Sequence, residues 1–191
     1  MDFELRVASS RAWLDCVLSD FDSFLLDHAS CEKKASGMAM SLISHYPDKP
    51  LLLRAMMNLA LEELAHFREV MEIMLQKGLQ AGAESKDEYV NKLRKAMTQG
   101  SEAYLMDRLL IASIIEARGA ERFGMIAEAL PGGELKRFYK NINESEARHY
   151  QLFLSLAEQL CPPEQIPSRL EELLLIEADI ISRLPLRAAL H

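Results

Sequence analysis

Two short stretches carry side chains able to do chemistry together. Glu63-Leu64-Ala65-His66 lies inside the apolar run Leu51–Leu75, and Glu146-Ala147-Arg148-His149 lies inside Leu135–Leu160. A carboxylate and an imidazole three residues apart share one helix face, about a turn from each other, and both can point inward. Two such pairs, with one further Glu from each of two more helices, form the ligand set of a carboxylate-bridged di-iron or di-manganese bundle. Glu32 and Glu116 supply those two carboxylates.

The spacing strengthens the reading. Glu116 follows Glu32 by 84 residues, while Glu146 follows Glu63 and His149 follows His66 by 83. One half of the chain reads Glu…Glu-x-x-His, and the second half repeats it. A lone Glu-x-x-His arises by chance in a Glu-rich helical chain; a matched pair at constant offset is a different matter.

Divalent irons need hard oxygen donors that bridge and imidazole nitrogens that hold each ion. The bland alternative makes the four glutamates surface residues. Each, however, sits on an apolar stripe, where an unpaired carboxylate is costly to bury. Glu116, in Leu109-Leu110-Ile111-Ala112-Ser113-Ile114-Ile115-Glu116-Ala117, is the clearest case. Taken singly, His66 and His149 read as core histidines; taken as a matched pair they read as ligands. Glu62 and Glu144 are neighbours that could replace or support Glu63 and Glu146, and the spacing favours the latter.

The elements that position these residues are helical. With 8 Gly and 7 Pro in 191 residues, 49% hydrophobic, the chain reads as a single all-α domain, 1–191. The architecture expected is a four-helix bundle with additional short N-terminal, crossover and C-terminal helices. A first short helix starts at Ser9 or Ser10 and runs to about Val17. The first bundle helix starts at Asp20 or Asp22 and reaches about Tyr46, with Leu25, Ala29, Ala35, Ala39 and Ile43 on the face of Glu32. Asp48 is the expected cap of the second, which has Pro50 in its first turn and runs to about Lys77, where Gly78 stops it. Its inward face is Met56, Leu59, Glu63, His66, Val70 and Ile73. A crossover helix spans Asp87–Met97 with a basic face of Lys92, Arg94 and Lys95. The third bundle helix runs from Ser101 to about Leu130, facing inward with Leu109, Ala112, Glu116, Ala120, Phe123 and Ala127. The fourth runs from Glu134 to Cys161, with Tyr139, Ile142, Glu146, His149, Phe153 and Leu156 on one side. An outer helix covers roughly Pro167–Leu184.

Several classes are disfavoured. No apolar run without charge approaches the length of a membrane span, and the first residues hold no apolar signal core, so a cytoplasmic protein is expected. Cys16, Cys31 and Cys161 form neither a CxxC pair nor a disulfide framework, which also removes a rubredoxin-type iron site. The formal charge of −7 argues mildly against a nucleic-acid partner. That objection weakens if four of the glutamates hold metal ions. Val70 stands where radical-generating subunits of ribonucleotide reductase carry a tyrosine. A ferroxidase or iron-storage protein of the bacterioferritin type remains the alternative, although 53 residues separate Glu63 from Glu116, more than such bundles usually have.

At finer grain, four segments resemble one family. They are Asp27-His28-Ala29-Ser30-Cys31-Glu32-Lys33-Lys34-Ala35, Glu62-Glu63-Leu64-Ala65-His66-Phe67, Ile115-Glu116-Ala117-Arg118-Gly119-Ala120-Glu121-Arg122-Phe123 and Ser145-Glu146-Ala147-Arg148-His149-Tyr150. They are similar to the MiaE family of tRNA hydroxylases over essentially the whole chain. The resemblance implies a ferritin-like monooxygenase with two non-haem iron ions (Fe2+/Fe3+), held by Glu32, Glu63, His66, Glu116, Glu146 and His149. It implies O2-dependent hydroxylation of the isopentenyl side chain of 2-methylthio-N6-isopentenyladenosine beside the tRNA anticodon. Ala120 and Phe123 become candidates for lining a prenyl pocket. The chain offers no flavin or nicotinamide motif, so an external electron donor, a reductase or ferredoxin, is implied. For RNA contact the candidates are Lys33, Lys34, Arg118, Arg122, Arg148 and the Lys136-Arg137-Lys140 group.

Overall fold

The computed structural model describes residues 2–82, 86–98 and 100–191. Among these, every regular element is helical: α1 (Arg11–Ser19), α2 (Phe21–His45), α3 (Pro50–Gln76), α4 (Glu88–Lys95), α5 (Ser101–Ala129), α6 (Glu134–Leu160) and α7 (Ile166–Arg183).

Local chemistry sets the ends. Ser10 Oγ accepts from Trp13 N at 3.1 Å, Asp20 from Ser23 N at 3.2 Å and Asp87 from Val90 N at 2.9 Å. Each satisfies a backbone donor that the first helical turn leaves open. The expectation that Asp48 caps α3 is not met. Lys49 occupies the cap position without a side-chain bond, and Pro50 opens the helix, needing no partner for an N–H it lacks. At the other end Gly78, with φ +72°, lets Leu79 N bond Met74 O and Gly78 N bond Leu75 O, which closes the helix as a Schellman turn. Lys136 Nζ donates to Glu128 O and Leu130 O, so this lysine caps the end of α5.

The chain divides into two compact units, the boundary falling within α1. One unit is built on α2 and α3, with residues 187–190. These helices run antiparallel: Lys77 Nζ meets Asp22 at 2.9 Å, and midway Ser36 Oγ donates to Ala60 O at 2.9 Å. Leu25, Leu42, Leu52, Met56 and Leu59 fill its core. On α2 the expected Leu25, Ala29 and Ala39 are buried, but the face extends differently at its edges. Phe24, His28 and Leu42 are buried, while Ala35 and Ile43 are only half-buried. On α3, Met74 is buried and Ile73 half-buried, so the stripe ends one position later than expected.

The other unit holds residues 2–14, α4 to α7 and His191. Its α5 and α6 are antiparallel, tied by Ser113 Oγ donating to Tyr150 O at 2.7 Å. From Leu109 to Ile114 every residue of α5 is buried, the pattern of a helix surrounded on all sides. The sequence stripe on α6 holds, since Tyr139, Ile142, Glu146, His149, Phe153 and Leu156 are all buried.

A polar cluster ties this second unit together. Arg118, fully buried, donates through Nε to Glu177 Oε1 at 2.9 Å and through Nη2 to Val7 O at 2.7 Å, and also pairs with Glu121. Tyr89 Oη donates to the same Glu177 oxygen at 3.1 Å. Burial, reinforced by the Glu177 charge, holds the Tyr89 phenol well above its ordinary pKa, so it remains a donor. Arg122 Nε donates to Ser9 Oγ at 2.9 Å, and its guanidinium carbon lies 4.4 Å from the Trp13 ring centre.

Candidate metal centre

Helix geometry delivers the sequence-predicted residues in two matched sets. In the α2–α3 unit, Glu32 comes from one helix and the Glu63–His66 pair from the other, and all three are buried. One ligand atom from each lies within 4.8 Å of the others. His66 Nδ1 stands 3.5 Å from Glu63 Oε2 and 3.7 Å from Glu32 Oε2. In the α5–α6 unit, Glu116 comes from α5 and the Glu146–His149 pair from α6, again buried with ligand atoms within 4.8 Å. His149 Nδ1 stands 3.5 Å from Glu146 Oε2. Glu144 is exposed and Glu62 only half-buried, so burial favours the ligands that spacing favoured.

The two 3.5 Å separations within the Glu-x-x-His pairs fit a shared ion. Two donors each about 2.0–2.2 Å from one divalent ion stand about 3–3.5 Å apart, whereas a good N–H···O bond is nearer 2.9 Å. Carboxylate oxygens with imidazole nitrogens are a donor set that iron accepts.

The electrostatics of the α2–α3 set show what it costs to bury these groups. Burial raises the Glu32 carboxyl, but the hydrogen bond with His28 and the nearby His66 imidazole outweigh it and hold Glu32 well below the usual carboxylate range. Burial lowers the His66 imidazole, but Glu32 and Glu63 outweigh it and raise it to about 10. The carboxylates therefore call for positive charge in their midst, which a divalent ion supplies in place of a proton.

Two residues around the set were not singled out from sequence. His28 Nε2 lies 2.6 Å from Glu32 Oε1. Its signal was there to find: it precedes Glu32 by four residues on the buried face of α2. Ser145 Oγ lies 3.4 Å from His149 Nε2 and accepts from Arg148 Nη2 at 3.1 Å, which places a polar group against the outer nitrogen of that imidazole.

The cationic candidates divide. Arg118 and Arg122 are buried in the Glu177 and Ser9 contacts, so both are corrected from RNA contacts to internal residues. Lys136 is committed to capping α5. Lys33, Arg137, Lys140 and Arg148 are exposed, and Lys34 is half-exposed. Phe123 is buried and stacks on Tyr139 at 5.8 Å between ring centres, while Ala120 is half-buried.

Residues 2–191 match the family described as tRNA-(MS[2]IO[6]A)-hydroxylase (MiaE). The chain belongs to this family. Among MiaE relatives, a Pseudomonas putida protein named tRNA 2-(methylsulfanyl)-N(6)-isopentenyladenosine(37) hydroxylase is 38% identical over 157 residues, covering 82% of this chain and 76% of that protein. A Salmonella typhimurium protein of the same name is 34% identical over 155 residues, covering 81% of this chain and 56% of that protein. A solved structure described as Protein 43 with aldehyde deformylating oxygenase activity, from Synechococcus, has a TM-score of 0.94 and 33% identity, covering 100% of this chain and 96% of its own. The fold is thus all-α and ferritin-like, as the MiaE resemblance implied.

Proposed function

We propose that this protein is a tRNA hydroxylase that uses O2 to hydroxylate the isopentenyl side chain of 2-methylthio-N6-isopentenyladenosine beside the anticodon. The observation that carries this reading is the match of residues 2–191 to the tRNA hydroxylase family, supported by the names of its two bacterial relatives. The iron-storage alternative is not favoured, since the relatives named above are hydroxylases and an oxygenase.

On this reading the chain is a single ferritin-like domain, 1–191. Glu32, Glu63, His66, Glu116, Glu146 and His149 would hold two iron ions. Bound iron would supply O2 activation: one oxygen atom would enter a C–H bond and the other would leave as water with two protons and two electrons, the electrons coming from an external reductase or ferredoxin. The chain's own residues provide the setting. Burial of all four carboxylates keeps bulk water from competing for the ions. Ser145 orients His149, and the half-buried Ala120 beside Phe123 offers an apolar wall for a prenyl group. Exposed cations such as Lys140 and Arg148 offer phosphate contacts that offset a chain of charge −7. A tRNA substrate supports a cytoplasmic location. No helix among the described residues is long and apolar enough to cross a membrane.

The test is nucleoside mass spectrometry on hypomodified tRNA incubated with iron-loaded protein, O2 and a reducing system. The expected result is a gain of one oxygen atom on the prenylated adenosine, lost in Glu116→Ala. A protein verified to hold two irons that yields no oxygenated nucleoside would overturn the proposal.

A further inference from the structure

We infer that His28 is a positioning residue for Glu32, and that it makes the two halves of the metal centre unequal. This rests on the two-iron reading above. His28 lies one turn before Glu32 on the same face of α2 and is fully buried. Its Nε2 is 2.6 Å from Glu32 Oε1, at the short end for a nitrogen–oxygen hydrogen bond and consistent with a charged acceptor. The ring is held against the buried Phe24, 5.8 Å away between centres. Glu32 Oε2 turns the other way, 3.7 Å from His66 Nδ1. The two oxygens of Glu32 thus have different surroundings: Oε1 is engaged by His28, and Oε2 faces the Glu63–His66 pair.

The repeat shows what is particular about this. Glu116 follows Glu32 by 84 residues, and the residue 84 beyond His28 is Ala112. Ala112 is buried and has no polar side-chain atom. The carboxylate of the second half therefore has no imidazole at the corresponding position. Donors that orient a ligand typically matter 10–100-fold in metal affinity. His28 acts on whichever ion takes Glu32 Oε2, so its effect falls on one ion of the two.

Titration of metal-free protein with Co2+, followed by calorimetry and by the visible bands of the bound ion, tests this. Wild type should take two equivalents. In His28→Leu one binding step should weaken about 10–100-fold, with its bands shifted, while the other step is unchanged. His28→Gln, whose amide reaches toward Glu32 and can donate, should restore most of the loss. His28→Asn, too short to reach, should not, and it gives the same comparison if the Leu variant fails to fold. Wild type taking fewer than two equivalents would remove the two-metal reading itself. Two equivalents in wild type, with both steps unchanged or both equally weakened in a folded His28 variant, would overturn the role of His28 alone.

Discussion

His66 Nδ1 stands 3.5 Å from Glu63 Oε2, and the same 3.5 Å separates His149 Nδ1 from Glu146 Oε2. The separation is long for a hydrogen bond and right for two donors on one ion. It recurs in both halves, where each pair sits three residues apart on one helix face. Replacing Glu63 or Glu146 with Ala should leave at most one tightly held iron, counted by elemental analysis. Hydroxylation should fall by more than about 100-fold, beyond the loss usual for a residue that only supports a ligand. Two irons and full activity in either variant would remove that residue from the ligand set.

Gly119 offers a graded test of the space beside Glu146. A Cβ built there would lie 3.8 Å from Glu146 Cγ and 3.8 Å from the Phe123 ring, which is ordinary contact. Gly119→Ala should therefore keep metal binding and gain up to about 1 kcal/mol from helix propensity, read by chemical denaturation. Gly119→Leu has no such room and should displace Glu146, lowering iron affinity. Equal iron affinity in the Ala and Leu variants would show that the space is not confined.

Arg118 should behave as an internal residue rather than an RNA contact. Arg118→Met leaves Glu177 buried without its cation, at a cost of about 3–5 kcal/mol in unfolding free energy. The salt dependence of tRNA binding should be unchanged. Full stability with a weaker salt dependence would return Arg118 to the RNA-facing group.

Acid sensitivity should trace in part to Asp107. It is fully buried, and burial raises its pKa. The bonds from Arg169 Nε and Nη2, each 2.7 Å, and from Thr98 N at 2.6 Å outweigh burial and hold it below the ordinary value of 3.8. A carboxyl depressed in the folded state stabilises above its unfolded pKa, and that stability is lost as pH falls through the folded value. Asp107→Asn should thus cost about 2 kcal/mol near neutral pH. The gap from wild type should narrow below about pH 4 in unfolding curves. A gap constant down to pH 2 would assign the loss to packing.

Docking of tRNA should be electrostatic. Lys140→Ala and Arg148→Ala should each lower the slope of log affinity against log salt by about 1. Binding that ignores salt in the wild type would sink the idea of a cationic docking face.

Fold class, helix order and the six candidate ligands could all be read from the sequence because they depend on local periodicity. A carboxylate on an apolar stripe must be satisfied, and helical spacing fixes which residues share a face. Glu116 in its run of apolar neighbours and the two Glu-x-x-His pairs required no tertiary knowledge. The start of α2 at Asp20 or Asp22 and the Gly78 stop were equally legible, because capping is settled within one turn of chain.

Tertiary structure decided what depends on partners distant in sequence. Arg118 and Arg122 look like surface cations until Glu177, Ser9, Val7 and Trp13 arrive from far along the chain to bury them. The buried face of α2 took in Phe24, His28 and Leu42 beside the expected Leu25, Ala29 and Ala39, because packing against α3, not spacing from Glu32 alone, chose the helix rotation. That rotation turned His28 from one residue of a motif into the partner of Glu32. Sequence determined which groups could meet an ion, since helix geometry is local; the long-range packing of helices decided which polar groups surround them.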